Sequence, residues 1–175
     1  MPPPVQPLIR PLTPQDDAAF MALRREAVAA EPFAFEASPE DDFALDSDFV
    51  RRQLGASFAE SGSVVVGAFE ADRLVGMIGL FREREVKLRH KARLWGFYVR
   101  PAHRGRGLGG ALLEAALGLA RQLPGVERVR LSVTAPSEAA VRLYERLGFI
   151  AFGRERRALW VGGSYVDELH MVLVL

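Results

Sequence analysis

The segment from Val99 to Gly110 constrains the fold of this chain more than any other, because four of its last six residues are glycine. The residues before it favour a β-strand, and the apolar residues after it recur with the period of an α-helix. Glycines in such a connection let the backbone turn and approach a ligand closely. The first amides of the following helix lack partners, so we expect a phosphate or pyrophosphate there, with Arg104 and Arg106 adding charge.

The glycines also follow the G-x-G-x-x-G spacing of the dinucleotide-binding fingerprint. That fingerprint requires an acidic residue ~20 positions later, at the end of the next strand. This chain instead has Val-Arg-Leu at residues 129–131. A P-loop is excluded because no Gly-Lys-Ser/Thr follows the glycines. A nicotinamide-dependent oxidoreductase is therefore an alternative that only the glycine spacing supports.

The order of strand and helix patterns predicts an α/β or α+β domain with a mixed sheet. Strand-like runs cover residues 8–12, 63–69, 74–81, 93–99, 127–134, 150–160 and 165–175. Helix-like runs begin near Thr13, Ser38, Asp48, Leu108 and Ala140. No repeat or linker divides the chain, so we expect a single domain over residues 8–175 and a disordered, Pro-rich tail over residues 1–7.

Composition excludes several classes of protein. The chain has 175 residues and a net charge of +1, which gives no reason to expect nucleic acid or a membrane as a partner. It has no cysteine, hence no disulfide and no Cys-bound acyl intermediate, and its three histidines show no metal-ligand spacing. No apolar run approaches the ~20 residues of a membrane span. We expect a cytoplasmic protein without signal peptide, disulfides or metal.

Two motifs together resemble the GNAT N-acetyltransferase superfamily. The first is Arg104-x-x-Gly107-x-Gly109, after a strand that ends in Phe-Tyr-Val-Arg-Pro at residues 97–101. The second is the run AAVRLYERLGF at residues 139–149, at the spacing the family shows. The resemblance implies a mixed, mainly antiparallel sheet of six to seven strands flanked by about four helices. It also implies central strands that splay apart at an acyl-CoA site.

The resemblance implies acetyl-CoA as the cosubstrate. Backbone amides of the glycine segment would cradle its pyrophosphate, and a splayed strand would pair with its pantetheine arm and polarise the thioester carbonyl. The expected binding residues are Phe97, Tyr98, Val99, Arg104, Gly105, Arg106, Gly107, Leu108, Gly109, Gly110 and Ser137. Ser137 stands where the family often has Asn, a residue that this chain lacks altogether. Its hydroxyl can still donate a hydrogen bond.

Acetyl transfer to an amine needs a neutral nucleophile, a stabilised oxyanion and a proton for the departing thiolate. Tyr144 stands at the position of the family's usual general acid, although it also fits the core of an amphipathic helix. A phenol has a pKa of ~10 and a thiol ~8.5, so in water this proton transfer costs about 2 kcal/mol. Candidates for the general base are Glu36, Glu83, His90 and His170, or an ordered water.

Residues 31–48 and the last hairpin are expected to select the acyl acceptor. Residues 31–60 contain eight acidic residues and two arginines, and Glu31, Phe33 and Glu36 suit a cationic or partly apolar amine. We predict direct acetyl transfer from acetyl-CoA to a primary amine of a small molecule or peptide, without a covalent enzyme intermediate. A non-catalytic acyl-CoA-binding or sensing protein on the same fold is the alternative. The resemblance also allows a homodimer.

Overall fold

The computed structural model describes residues 7–175, which form one seven-stranded sheet and five α-helices. The strands are β1 (Leu8–Pro11), β2 (Ser63–Glu70), β3 (Arg73–Arg82), β4 (Lys91–Val99), β5 (Arg128–Thr134), β6 (Ile150–Val161) and β7 (Ser164–Val174). The helices are α1 (Asp17–Ala30), α2 (Ser47–Gly55), α3 (Phe58–Ser61), α4 (Leu108–Gln122) and α5 (Glu138–Arg146).

The strand order is β1-β2-β3-β4-β5-β7-β6, and every neighbouring pair is antiparallel except β4 and β5. This confirms the predicted mixed, mainly antiparallel sheet. About four helices were expected, and the fifth, α3, is a single turn of four residues.

Helices cover both faces of the sheet, because the strand side chains alternate between two apolar cores. On one face, α4 contributes Leu112 to a core that includes Ile78 of β3. On the other face, α1 contributes Phe20 and Leu23 to a core that includes Met77, the residue before Ile78. All five side chains are at most 2% exposed. The sheet therefore separates an α4–α5 face from an α1–α2 face.

The short helix predicted from Ser38 does not form. The backbone amide and hydroxyl of Ser38 both bond Asp41 Oδ1, at 2.7 and 2.9 Å, but only a turn follows. The next residue, Asp42, is buried, accepts from Arg24 Nε at 2.9 Å and caps a 3₁₀ turn through the amide of Ala44. A long-range ion pair thus overrides the local helix signal. The predicted tail over residues 1–7 lies, apart from Pro7, outside the described residues.

The parallel strands β4 and β5 separate soon after they meet. They pair only over Lys91–Arg93 and Arg128–Arg130. Further along β4, Gly96 has a φ of 62°, and the register with β3 shifts between Met77 and Gly79. Such a bulge adds twist and turns the strand away from its neighbour. The sheet therefore opens between β4 and β5, which confirms the splayed strands implied by the resemblance.

Candidate active site

The glycine segment leads from β4 into the N-terminus of α4 with unpaired amides. Gly107, the N-cap residue, has a φ of 78°, a left-handed conformation that favours glycine. The first helical bond runs from the amide of Ala111 to the carbonyl of Gly107, at 3.1 Å. Within residues 7–175, the amides of residues 105–110 donate to no backbone group. This cluster of free donors at a helix N-terminus suits an anion.

Two further glycines of the segment differ in what surrounds them. A Cβ on Gly109 would lie 3.1 Å from the Phe97 ring, so this glycine lets α4 pack closely on β4. A Cβ on Gly110 would have no other atom within 4 Å, and its φ is not in the left-handed region. Neither packing nor backbone conformation requires glycine at residue 110. The open space beside its free amide fits a bound phosphate group.

Arg104 and Arg106 both form ion pairs in this structure. Arg104 donates to the Val99 carbonyl at 2.8 Å and to Glu31 Oε1 at 2.7 Å. Arg106 lies 3.2 Å from Glu70 Oε1. Glu31, predicted to bind the acceptor, therefore lies beside the glycine segment, where it ties the end of α1 to the loop.

A small cleft of about 90 Å³ lies in the opening between β4 and β5. Of the residues predicted to bind acetyl-CoA or to catalyse, Phe97, Ser137 and Tyr144 line it. Tyr98 is buried with the α1–α2 face, and its hydroxyl donates to Glu26 at 3.2 Å. The sequence prediction thus brought together side chains that the structure divides between the two faces.

The backbone of Val99 is positioned differently from its neighbour's. The Arg100 amide donates to Val75 of β3 at 2.9 Å, and amides alternate in direction along a strand. The Val99 amide therefore faces the other edge of β4, towards the opening. It is available to a ligand that lies along that edge.

Tyr144 lies on α5. Its ring packs in the core, and the residue also lines the cleft. The ring centroid is 6.1 Å from that of Phe97 and 5.8 Å from that of Phe149. The side chain is 6% exposed, and its hydroxyl makes no hydrogen bond to any residue from 7 to 175. Burial raises the pKa of Tyr144 far above its ordinary value. The group therefore stays a phenol, which can donate a proton.

Ser137 precedes α5, and its hydroxyl is already engaged. Its Oγ lies 2.8 Å from Thr134 Oγ1, and its amide donates to the Thr134 carbonyl at 2.9 Å. These bonds close the turn between β5 and α5. The residue lines the cleft, but its hydroxyl is hydrogen-bonded to that of Thr134.

A second cavity, of about 470 Å³, opens on the α1–α2 face next to the cleft. The two cavities share the residues Ala34, Leu94, Trp95, Gly96, Ser132 and Glu168. Glu36, predicted to bind the acceptor, lines the larger cavity. Phe33, predicted with it, is 45% exposed and lines neither one. The cleft at Tyr144 therefore adjoins, through the opening of the sheet, a cavity with three carboxyl and two guanidinium groups on the other face. We call the larger one the acidic cavity and the six shared residues the passage.

Glu168 of β7 is a candidate site residue that the sequence argument missed. It is 8% exposed and lines both cavities. Its pKa is raised, first because burial disfavours the carboxylate and then because Glu36 is close. Strand parity offered a signal, since Val166, Glu168 and His170 share one side of β7 and Val166 is buried.

The four candidate bases separate into two groups. Glu36 and His170 lie on the α1–α2 face, and His170 bonds Ser132, which lines both cavities. Glu83 lies 3.8 Å from Arg93 at the far end of β3–β4, and the His90 carbonyl accepts from the start of β5. Neither Glu83 nor His90 lines the cleft or the acidic cavity.

A third cavity, of about 440 Å³, lies under α2 and is mostly aromatic and aliphatic. Trp95 and Phe81 line both this cavity and the acidic one. The indole of Trp95 packs against Gly79, where an added Cβ would overlap the ring. A larger residue at position 79 would therefore require Trp95, which lines both cavities, to move.

Within residues 7–175, no helix is long and apolar enough to cross a membrane. No group of three or more His, Asp or Glu side chains in that range is arranged to hold a metal ion.

Sequence comparison gives matches over most of the chain. A model of the Acetyltransferase (GNAT) family matches residues 20–149. The spermidine N(1)-acetyltransferase of Vibrio cholerae is 26% identical over 103 residues, which are 59% of this chain and 60% of that protein. The mycothiol acetyltransferase of Streptomyces scabiei is 34% identical over 139 residues, 79% of this chain and 41% of that protein. The chain thus spans less than two thirds of the length of these relatives.

Structural comparison agrees with the fold described above. The structure of yncA from Salmonella typhimurium, which contains its cofactor acetyl-CoA, superposes with a TM-score of 0.82 at 23% identity. The superposition covers 97% of this chain and 94% of that one. The fold and the family match, which extends over residues 20–149, lead to one conclusion: this chain belongs to the acetyltransferase (GNAT) family.

Proposed function

We propose that this protein transfers the acetyl group of acetyl-CoA to a primary amine that enters from the α1–α2 face. The observation that carries the proposal is the passage through the sheet, in which six residues belong to both the cleft and the acidic cavity. The amine and the thioester would meet there from opposite faces. Family membership removes the reason to consider a nicotinamide-dependent oxidoreductase.

The residues that would hold acetyl-CoA are those of the glycine segment and the open edge of β4. The free amides of residues 105–110 would bind the pyrophosphate, with the space beside Gly110 admitting it. The Val99 amide, facing the opening, would donate a hydrogen bond to a carbonyl oxygen of the pantetheine arm or of the thioester. When bound, acetyl-CoA supplies an activated acyl group, and a fixed amide stabilises negative charge on its carbonyl oxygen.

Glu168 and Glu36 would bind the acceptor as an ammonium ion. The nearby Glu36 contributes to the raised pKa of Glu168, and a cation placed between the two carboxyl groups would stabilise the charged form of Glu168. The name of one relative, a spermidine acetyltransferase, fits a cationic acceptor. The aromatic cavity beyond Trp95 and Phe81 adds room for an apolar body on the same molecule. We therefore favour a cationic amine with an apolar part, free or at a peptide end.

Tyr144 would protonate the thiolate of the product CoA. In water this proton transfer costs free energy, because a phenol is less acidic than a thiol. In the cleft both anions are desolvated, so the transfer exchanges one buried anion for another. No side chain from 7 to 175 bonds the Tyr144 hydroxyl, which leaves it free to reach the sulfur.

Binding and turnover test this proposal in two steps. Acetyl-CoA, CoA, NAD and NADP are first compared by thermal shift. A ligand at 100 times its Kd adds ~2.7 kcal/mol, which raises the Tm by roughly 5–11 °C for a chain of this size. Stabilisation by acetyl-CoA and not by NAD is expected, and the reverse would overturn the proposal. Thiol release is then followed with polyamines, arylalkylamines and peptides, since a chain without cysteine contributes no thiol.

The alternative, a non-catalytic acyl-CoA sensor, predicts stabilisation by acetyl-CoA but no thiol release with any amine. We also propose that residues 8–175 act as one domain. The homodimer stays a prediction, which the molar mass in solution tests.

A further inference from the structure

A line of hydrogen bonds runs from the wall of the passage to the protein surface. Ser132 Oγ lies 3.0 Å from His170 Nδ1, and His170 Nε2 lies 3.2 Å from Glu155 Oε2. Ser132 lines both the cleft and the acidic cavity. The His170 side chain is 29% exposed and that of Glu155 is 58% exposed. One end of the line is therefore at the site and the other is in solvent.

Strand pairing holds these three side chains in place. Ser132 of β5 is directly opposite His170 of β7, and His170 is opposite Gly153 of β6. Glu155 follows two residues later on β6, so its side chain is on the same face as that of His170. The Phe152 ring, 6.1 Å from the imidazole, covers one side of it. The geometry is that of three rigid strands and does not depend on a loop.

We propose that Ser132, His170 and Glu155 form a proton relay that takes the proton of the acceptor's ammonium group out to solvent. The inference rests on the proposed function, because the relay serves an amine held at Glu168. It separates two roles on one face of the sheet. Glu168 binds the ammonium, and the relay generates the free amine that attacks.

The proton transfer balances without any further reactant. The N–H of the ammonium gives its proton to Ser132 Oγ as the Ser132 hydroxyl proton passes to His170 Nδ1. The imidazole, now protonated on both nitrogens, releases the Nε2 proton to Glu155 or to water. One proton leaves, the amine gains its lone pair, Ser132 regains a hydroxyl, and the imidazole is left with its proton on Nδ1. The starting tautomer has the proton on Nε2, as donation to Glu155 requires, so the ring exchanges its protons with solvent before the next turnover.

The charges around His170 favour passage of a positive charge. Three carboxylates and two guanidinium groups lie close to Glu168, to His170 or to the Phe152 ring beside it: Glu36, Glu155, Glu168, Arg93 and Arg130. Asp41 and Arg24 also line the acidic cavity. Glu155 is the carboxylate in direct contact with the imidazole. Its negative charge compensates for the proton while His170 carries it.

The relay is tested by comparing His170→Gln with the matched control His90→Gln. Glutamine keeps hydrogen bonds to both neighbours but cannot carry a proton. Near neutral pH, we expect kcat of His170→Gln to fall by about 10²-fold, the usual contribution of a general base. The loss should shrink at alkaline pH, where free amine is already present, and KM for acetyl-CoA should not change. Ser132→Ala should show the same pattern, and Glu155→Gln a smaller one.

Three outcomes would overturn the relay alone, and a fourth would overturn the proposed function as well. Wild-type kcat in His170→Gln would show that the histidine only supports the strands. If kcat falls in Glu168→Gln and not in His170→Gln, Glu168 is the base and the relay is wrong. An acetyl adduct on Ser132 in intact-mass spectra would make it a nucleophile. A wild-type protein that binds acetyl-CoA but acetylates no amine would instead remove the proposed function itself.

Discussion

Tyr144 and Glu168 line one cleft of about 90 Å³ from opposite faces of the sheet, Tyr144 from α5 and Glu168 from β7. Burial raises the pKa of both groups. For Tyr144 this keeps the phenol protonated and makes it a weaker acid than an exposed tyrosine. For Glu168 it raises the free energy of the carboxylate, and a bound cation would lower it. The opening between β4 and β5 is what lets two such groups reach the same space.

Replacing Tyr144 by phenylalanine should reduce kcat by roughly 10²-fold, the lower end of what an acid catalyst contributes. KM for acetyl-CoA should stay the same, because the ring that packs against Phe97 and Phe149 is retained. The Tm should not fall, since the hydroxyl makes no hydrogen bond in the described chain. The exposed Tyr165→Phe is the control. Full activity of Tyr144→Phe would mean that another group protonates the thiolate.

Replacing Glu168 by glutamine should weaken amine binding and yet stabilise the fold. A carboxyl whose pKa is raised by folding loses stability as pH rises through its ordinary range to its folded pKa. Above that range the charged group carries a penalty that glutamine lacks. We expect a higher Tm at neutral pH, by roughly 2–4 °C for each kcal/mol, with no gain at low pH. Exposed Glu145→Gln is the control, and a lower Tm would contradict the argument.

Replacing Gly110 by alanine should separate ligand binding from stability. An alanine there meets no atom and favours the helix, so the free protein should gain about 0.5–1 kcal/mol. The same methyl group would occupy the space assigned to the pyrophosphate and raise the Kd for acetyl-CoA. Gly118→Ala, further along α4 and also in open space, is the matched control. It should stabilise the helix and leave the Kd unchanged, and equal Kd values for the two variants would move the phosphate site elsewhere.

Glu31 and Glu36 should differ in which substrate they affect. Glu36→Gln removes a charge from the acidic cavity and should raise KM for the amine by about 2- to 5-fold. Glu31→Gln weakens its bond to Arg104, beside the glycine segment, and should raise KM for acetyl-CoA instead. Steady-state kinetics with each substrate varied in turn will distinguish them. The same effect from both variants would place Glu31 at the acceptor.

The Asp16 carboxyl group should make the free energy of unfolding depend on pH in the acid range. Its hydrogen bonds to Arg10, at 2.8 and 2.9 Å, lower its pKa from 3.8 to about 2. A lowered folded pKa gives stability that is present above the ordinary pKa and lost as pH falls through the folded one. Asp16→Asn should cost about 1–2 kcal/mol at neutral pH, including its contact with the Thr13 amide. The difference from wild type should vanish near pH 2, whereas exposed Asp72→Asn should show none.

Local patterns in the sequence were enough for the strands and the long helices. The alternation around β5 and the helical period from Leu108 to Leu123 each report which face a residue buries, because burial of apolar surface dominates folding. The glycine segment was equally readable, since left-handed backbone at Gly107 leaves few other residues possible. Ser38 was misleading because its capping contact is local, whereas the Arg24–Asp42 ion pair that decides the region spans 18 residues.

The sequence by itself determined the order of the elements, the position of the glycine segment and the family motifs that include Tyr144. Only the tertiary structure decided which side chains meet. Ser132 of β5 is distant in sequence from Glu168 and His170 of β7, and strand pairing brings them together beside the opening at β4. The separation of β4 from β5 likewise follows from a bulge at Gly96, which no periodic pattern in the sequence indicates. Periodicity reports burial along one element, whereas a site depends on register between elements, which is set by long-range pairing.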